Sequence, residues 1–151
     1  MKNYSLLRNQ TYKKYKTIKS VHCPYLKTKV TFNSNGFRHF IYKAGGKKRD
    51  EESQVLRFQL LGQAVKILKV TTTLQEYQSD SKERLVEEHN QQVSKIVTII
   101  YFGFIAILDG WKFKVIVKKI GNGHPFFWSV IPNWRTRAKE KLFHKGNMEE
   151  D

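Results

Sequence analysis

Three lysines, Lys112, Lys114 and Lys118, recur at even spacing along Lys112-Phe113-Lys114-Val115-Ile116-Val117-Lys118. Side chains on a strand alternate between its two faces. Trp111, Phe113, Val115 and Val117 therefore share one face, and the lysines share the other with Ile116. A row of ammonium groups on one strand face exceeds what solubility needs and reads as an anion-binding surface, each Lys acting as a point charge toward a phosphate. Trp134, Arg135 and Arg137 add a ring and two guanidinium groups, a set that can stack an unpaired base and hold its phosphate, although a tryptophan such as Trp134 is more often a core plug than a base platform. Arg57 lies on a helix and can snorkel over the core edge. His39 falls beside the apolar stripe of Phe37, Phe40 and Ile41, which directs it with Arg38 toward solvent or the sheet edge. His124 follows the Gly121-Asn122-Gly123 turn and reads as a polar turn residue or an anion contact. No Gly-rich phosphate loop, paired-carboxylate site or nucleophile elbow is present, and the sparse carboxylates cluster in loops, which argues against a two-metal nuclease. Cys23 is the sole cysteine, and the adjacent His22 does not make the spaced ligand pairs of a zinc site. Neither a metal nor a cofactor is expected.

The chain carries 28 Lys and Arg against 13 Asp and Glu, a formal net charge of +15 over 151 residues. Such an excess points to a polyanionic partner, nucleic acid before a membrane surface. The longest mainly apolar run, 96–108, falls short of the ~20 residues of a spanning helix and reads as a strand. With 40% hydrophobic and 13% aromatic residues the sequence is globular rather than disordered. The charged start of the chain and the single cysteine suggest the cytoplasm, with no membrane contact.

Residues 3–18 repeat apolar positions at helical spacing, and 21–25 with 29–32 read as a small strand pair. Asn33-Ser34-Asn35 supplies an N-cap for a short helix carrying Phe37, Phe40 and Ile41. Lys47-Lys48-Arg49 reads as a solvated loop. Asp50 caps a long helix with an apolar face of Leu56, Leu60, Ala64, Ile67 and Leu68. The β-branched run 70–74 predicts a strand, and the polar stretch 79–92 a mobile loop or long hairpin turn. Residues 93–108 predict a long strand, bulged at Gly103, and Asp109-Gly110 a two-residue hairpin. In the last strand Ser129 should share its face with Phe127 and Ile131, opposite Phe126, Trp128 and Val130. Periodicity then fades, and Glu149-Glu150-Asp151 reads as a frayed acidic tail. The domain is thus 1–135, with 1–20 a helical extension and 136–151 an irregular tail. Helices first and antiparallel strands after make an α+β fold with the helices on one sheet face.

Over residues 28–134 the chain resembles the barnase, EndoU, colicin and RelE-like ribonuclease superfamily, in particular its phage-associated branches. The resemblance is carried by Val30-Thr31-Phe32-Asn33-Ser34-Asn35-Gly36-Phe37-Arg38-His39-Phe40 and by Lys118 with His124-Pro125-Phe126-Phe127-Trp128-Ser129-Val130. It implies N-terminal helices packed on a four-stranded antiparallel sheet with RNA (tRNA, mRNA or rRNA) on the opposite face. It further implies metal-independent, toxin-like endoribonuclease chemistry: the ribose 2′-hydroxyl attacks the adjacent phosphate and leaves a 2′,3′-cyclic phosphate. His39 would carry the proton, Arg38 and Lys118 would stabilise the phosphorane, and Ser129 matches the superfamily's Ser or Thr on the last strand. Lys112, Lys114, His124, Trp134, Arg135 and Arg137 would hold the RNA. An acidic inhibitor protein would restrain such an enzyme. The same fold without catalysis, binding RNA or the ribosome, is the alternative.

Overall fold

A computed structural model describes residues 3–133 and 147–151. These residues form an α+β fold in the order α1 (Tyr4–Ile18), β1 (Ser20–Cys23), β2 (Thr28–Thr31), α2 (Ser34–Ile41), α3 (Glu51–Val70), β3 (Glu76–Glu88), β4 (Gln91–Leu108), β5 (Trp111–Ile120) and β6 (Phe126–Asn133). The sheet has six strands, ordered β1-β2-β6-β5-β4-β3, rather than the expected four. The β1–β2 hairpin joins one edge through a parallel pairing of Thr31 with Phe126, and β3 adds the other edge antiparallel to β4.

Local chemistry explains most of these elements. The Asn33 side chain accepts from the backbone N–H groups of Asn35 and Gly36 and starts α2. Asp50 accepts from Ser53 N–H and starts α3. That helix runs on to Val70 and ends at the extended Thr71, and 71–75 follow as irregular chain, so the strand expected at 70–74 does not form. The stretch expected as a loop at 79–92 is mostly ladder. β3 and β4 turn on His89 and Asn90, both left-handed at φ 50° and 62°, as a two-residue hairpin requires. Asp109 and Gly110 make the predicted turn, at φ 53° and 77°.

α2 and α3 pack against one sheet face, and α1 packs on α3. Tyr15, Phe37, Phe40, Phe58, Leu61, Ala64, Ile67 and Leu68 pack there with Phe104, Phe113, Val115, Val117, Phe127 and Val130. The other face carries a second apolar cluster of Ile99, Tyr101, Ile116, Phe126, Trp128 and Ile131, and Met148 packs into it. Two facing assignments need correction. The β5–β6 register steps from Ile116↔Ser129 to Val117↔Phe127, leaving Trp128 as the extra residue of a bulge. Alternation slips there, so Trp128 joins Phe126 and Ile131 on the second face while Phe127 and Val130 both face the helices. Trp111, at the hairpin, is exposed rather than part of the core.

Residues 147–151 are docked, not frayed. Trp128 Nε1 donates to the carbonyls of Met148 (3.2 Å) and Glu149 (3.1 Å), and Met148 N–H donates to Gln78 Oε1 (2.9 Å). Lys114, expected on an open cationic surface, is wholly buried. Its ammonium is paired with Glu76 at 2.7 Å and Asp151 at 3.1 Å. Gly103 makes this possible without the expected bulge, since its register with Glu76 and Ile116 is unbroken. A Cβ at Gly103 would lie 3.0 Å from Glu76 Cβ and 3.1 Å from Met148 Sδ. Among the described residues no helix is long and apolar enough to cross a membrane.

Removing one partner of a buried ion pair strands the others, so Lys114→Ala should lower the unfolding free energy by ~2–4 kcal/mol. That approaches the ~3–5 kcal/mol expected for Phe113→Ala in the helix-side core. Urea melts test both; a loss under ~0.5 kcal/mol at Lys114 would mean that its ammonium is solvated.

Candidate polyanion-binding site

Gly36 lets the polypeptide bring its cations together. A Cβ there would overlap the Tyr15 hydroxyl and lie 2.5 Å from the Phe127 carbonyl oxygen, so only glycine allows α2 to press onto β6. The last turn of α2 and the loop after it then face β3, β5 and β6 across a pocket of about 350 Å³. Five cationic side chains line it, Arg38, Lys43, Lys82, Arg84 and Lys118, against one carboxylate, Glu83. His39, Tyr42, Phe126 and Trp128 supply its aromatic wall. The bulge at Trp128 sets this wall: the indole stacks on the His39 ring with centroids 3.8 Å apart, and the Lys118 ammonium sits 4.0 Å from the indole centroid. Arg38 lies 4.5 Å from the Tyr42 ring.

His39 is not the solvent-facing group expected from its place beside the apolar stripe; it is 3% exposed. Arg49 Nη2 donates to its Nε2 at 3.0 Å, and Arg49 Nε donates to its backbone carbonyl at 2.9 Å. A guanidinium can only donate, so Nε2 accepts and the ring proton sits on Nδ1. Burial first, then the charges of Arg49, Arg57 and Lys118, push its pKa down to about 2. The imidazole is neutral throughout the physiological range, a fixed wall and hydrogen-bond acceptor rather than a poised proton carrier. Lys118 is displaced in a more useful direction. Burial, aided by Lys82 and Arg84 and opposed by Glu149, draws its ammonium down to about 8.

Beside the pocket lies a buried polar chain. Arg57 Nη1 donates to Ser129 Oγ at 2.6 Å, and Ser129 Oγ donates to the Asp151 carbonyl at 2.9 Å. Arg49, read as part of a solvated loop, is buried as well, and Gln54 Nε2 donates to its carbonyl at 2.7 Å. Burial, then repulsion from Arg49, lowers the Arg57 pKa to about 9, with Asp151 opposing.

The structure brings Arg38, His39 and Lys118 into one pocket and leaves the other expected site residues that it describes outside its walls. Ser129 is buried under Asp151. Lys114 is taken up by its ion pairs, and Lys112 lies ~20 Å from Lys118 along the strand at 3.3 Å per residue. The lysine row is therefore not one surface. His124 is exposed in its turn, away from the pocket lining. Trp134, Arg135 and Arg137 lie outside the described residues. Sequence reasoning missed Lys43, Lys82 and Arg84. The last two alternate with exposed Glu83 along β3, a period-two pattern that is visible once the His89-Asn90 turn is recognised.

No family model, curated protein or solved structure matches the chain. Among the described residues no three His, Cys, Asp or Glu side chains cluster as a metal site.

The buried His39 makes stability pH-dependent. Its folded pKa, about 2, lies below the unfolded value of 6.5, so the unfolded state takes up the proton first as pH falls. Stability should be full above 6.5 and fall by up to ~1.4 kcal/mol per pH unit below it, about 2 kcal/mol by pH 5. His39→Gln, which keeps an acceptor for Arg49, should flatten that slope in melts between pH 7 and 5. An unchanged slope would show that another group titrates.

Proposed function

We propose that the protein binds RNA, with the phosphate backbone held in the pocket between α2 and strands β3, β5 and β6. The observation that carries this reading is the pocket's charge: five cations and one carboxylate around an aromatic wall. Arg38, laid over Tyr42, and Arg84 offer guanidinium forks to a phosphate, and Lys43, Lys82 and Lys118 offer point charges. Packing already fixes Lys118 over Trp128, so little side-chain entropy is lost when it meets an anion. The resemblance to the ribonuclease superfamily selects RNA among polyanions and the sheet's non-helical face as its seat.

A second reading, metal-independent cleavage, is favoured by Lys118. A lysine with a pKa of about 8 keeps a minority of neutral amine at pH 7 and can accept the 2′ proton. In that step the 2′ oxygen bonds to phosphorus, the P–O5′ bond breaks, and O5′ takes up a proton from solvent or a neighbouring cation. Arg38 would stabilise the phosphorane. The role assigned to His39 passes to Lys118, and His39 positions Trp128 beneath it.

Anisotropy titration of a labelled single-stranded RNA tests binding. Five contacts predict a log–log salt slope near −3.5, and Arg38→Ala or Lys118→Ala should each make it shallower by ~0.7. Binding that is absent at ~50 mM salt, or independent of salt, would remove the reading. Cleavage is tested with EDTA present and mapped ends. Its rate should rise with pH through about 8 and drop ~10²–10⁴-fold in Lys118→Ala, with His39→Gln retaining it. If the wild-type protein cuts nothing, binding alone stands.

A further inference from the structure

The second face of the sheet is covered by a piece of the chain whose chemistry imitates what the pocket is built to hold. Residues 147–151 read Asn-Met-Glu-Glu-Asp, and their oxygens satisfy the cations and donors of that face. Glu149 meets Lys82 at 2.6 Å, and Lys82 also lines the pocket. Asp151 meets Lys114 at 3.1 Å through a carboxylate oxygen and Ser129 at 2.9 Å through its carbonyl. The Glu150 carbonyl accepts from Arg49 Nη2 at 3.5 Å. Trp128, a wall of the pocket, donates its indole N–H to the same segment. Anionic and carbonyl oxygens thus lie against lysine, arginine, serine and an indole N–H, the donor set that would otherwise receive phosphodiester oxygens.

The seat is shaped for this segment yet incompletely satisfied. Met148 is its apolar anchor, 3% exposed, with Gly103 leaving room for its sulfur. Beneath it the buried Tyr101 hydroxyl has no hydrogen-bond partner among the described residues. Burial, then Glu149 and Asp80, push the Tyr101 pKa up, so that hydroxyl stays a donor without an acceptor among them. Arg49 and Arg57, both buried, form no ion pair among the described residues. A phosphate chain carries more negative charge than two carboxylates and can reach donors that the segment leaves unused.

We propose that residues 147–151 are an intramolecular competitor for RNA, docked over the cationic face and displaced when RNA extends from the pocket toward Ser129, Arg57 and Tyr101. This rests on the RNA-binding reading above. Tethering makes the competition effective, since a segment on the same chain acts at an effective concentration on the order of millimolar. Binding energy spent on lifting the segment lowers apparent affinity by the fraction of molecules that are open.

The test uses the full chain and a single-stranded oligouridylate RNA of ten nucleotides at ~50 mM salt. Met148→Ala removes the anchor and leaves every charge in place, so a change in affinity cannot come from net charge. It should bind about tenfold tighter than wild type, the gain expected where the closed form outweighs the open one ten to one. In the wild-type protein, RNA should speed hydrogen exchange at the Met148 and Asp151 amides, which are protected by Gln78 Oε1 and the Asn147 carbonyl. Equal affinities with unchanged exchange would overturn the competition and leave RNA binding intact. Absence of binding by both proteins would overturn both. If Met148→Ala fails to fold, wild-type exchange decides: acceleration by RNA supports displacement, and unchanged or slower exchange in the bound state rejects it.

Discussion

A fully buried ammonium group, that of Lys114, constrains the whole second face of the sheet. Desolvating such a charge costs several kcal/mol unless paired carboxylates return the loss. Glu76 comes from the edge strand β3, and Asp151 from the far end of the sequence. The register of β3 on β4, the glycine at position 103 and the docking of 147–151 all follow from bringing those carboxylates to one point in the middle of the sheet. Hydrophobic packing of Met148 reinforces this seat but does not select it, because the apolar cluster beneath extends well beyond one side chain. The charge supplies the address and the methionine adds adhesion.

That arrangement takes up two of the chain's 13 carboxylates and does not reach the neighbouring arginines. Arg49 and Arg57 are held by neutral acceptors: a ring nitrogen, carbonyls and a hydroxyl. Burial, with their charges, keeps His39 neutral. Lys118, at the pocket wall, answers to burial and to other charges: Lys82 and Arg84 lower it and Glu149 opposes. A histidine and a lysine one bulge apart thus exchange their usual roles. The residue that ordinarily titrates near neutrality is locked, and the one that ordinarily does not is brought close.

Much of the fold was legible because local signals agreed with tertiary ones. Asn33, Asp50 and Asp109-Gly110 name their caps and turn directly, and the alternation of Phe113, Val115 and Val117 names the helix-side face. Three features were not legible. β3 is polar on both faces, since one side meets solvent and the other meets charged groups, so no hydrophobic period marks it. The bulge at Trp128 adds a residue to an alternation that otherwise reads as regular, and a one-residue slip reverses every side-chain assignment after it. The burial of Lys114 depends on carboxylates 38 and 37 residues away in sequence, and no local pattern announces them. Of the expected site residues, Arg38, His39 and Lys118 line one pocket because they flank the bulge and the α2–β6 contact. Lys82 and Arg84 were lost with β3.

Docked segment and pocket share two residues, Lys82 and Trp128, and this overlap decides how the parts behave together. Were the segment only a structural patch, its carboxylates would be expected at Lys114 alone, where the buried charge demands them. Glu149 instead reaches Lys82, which is 40% exposed and needs no partner for stability, since such a pair contributes little in water. An ion pair of small stabilising value at the rim of a cationic pocket alters chiefly the potential inside that pocket. Its placement makes sense as an electrostatic influence on whatever enters, opposing the cations when closed and releasing them when open. Stability therefore resides in Lys114 and Met148 at the centre of the face, and control of the pocket resides in Glu149 at its edge.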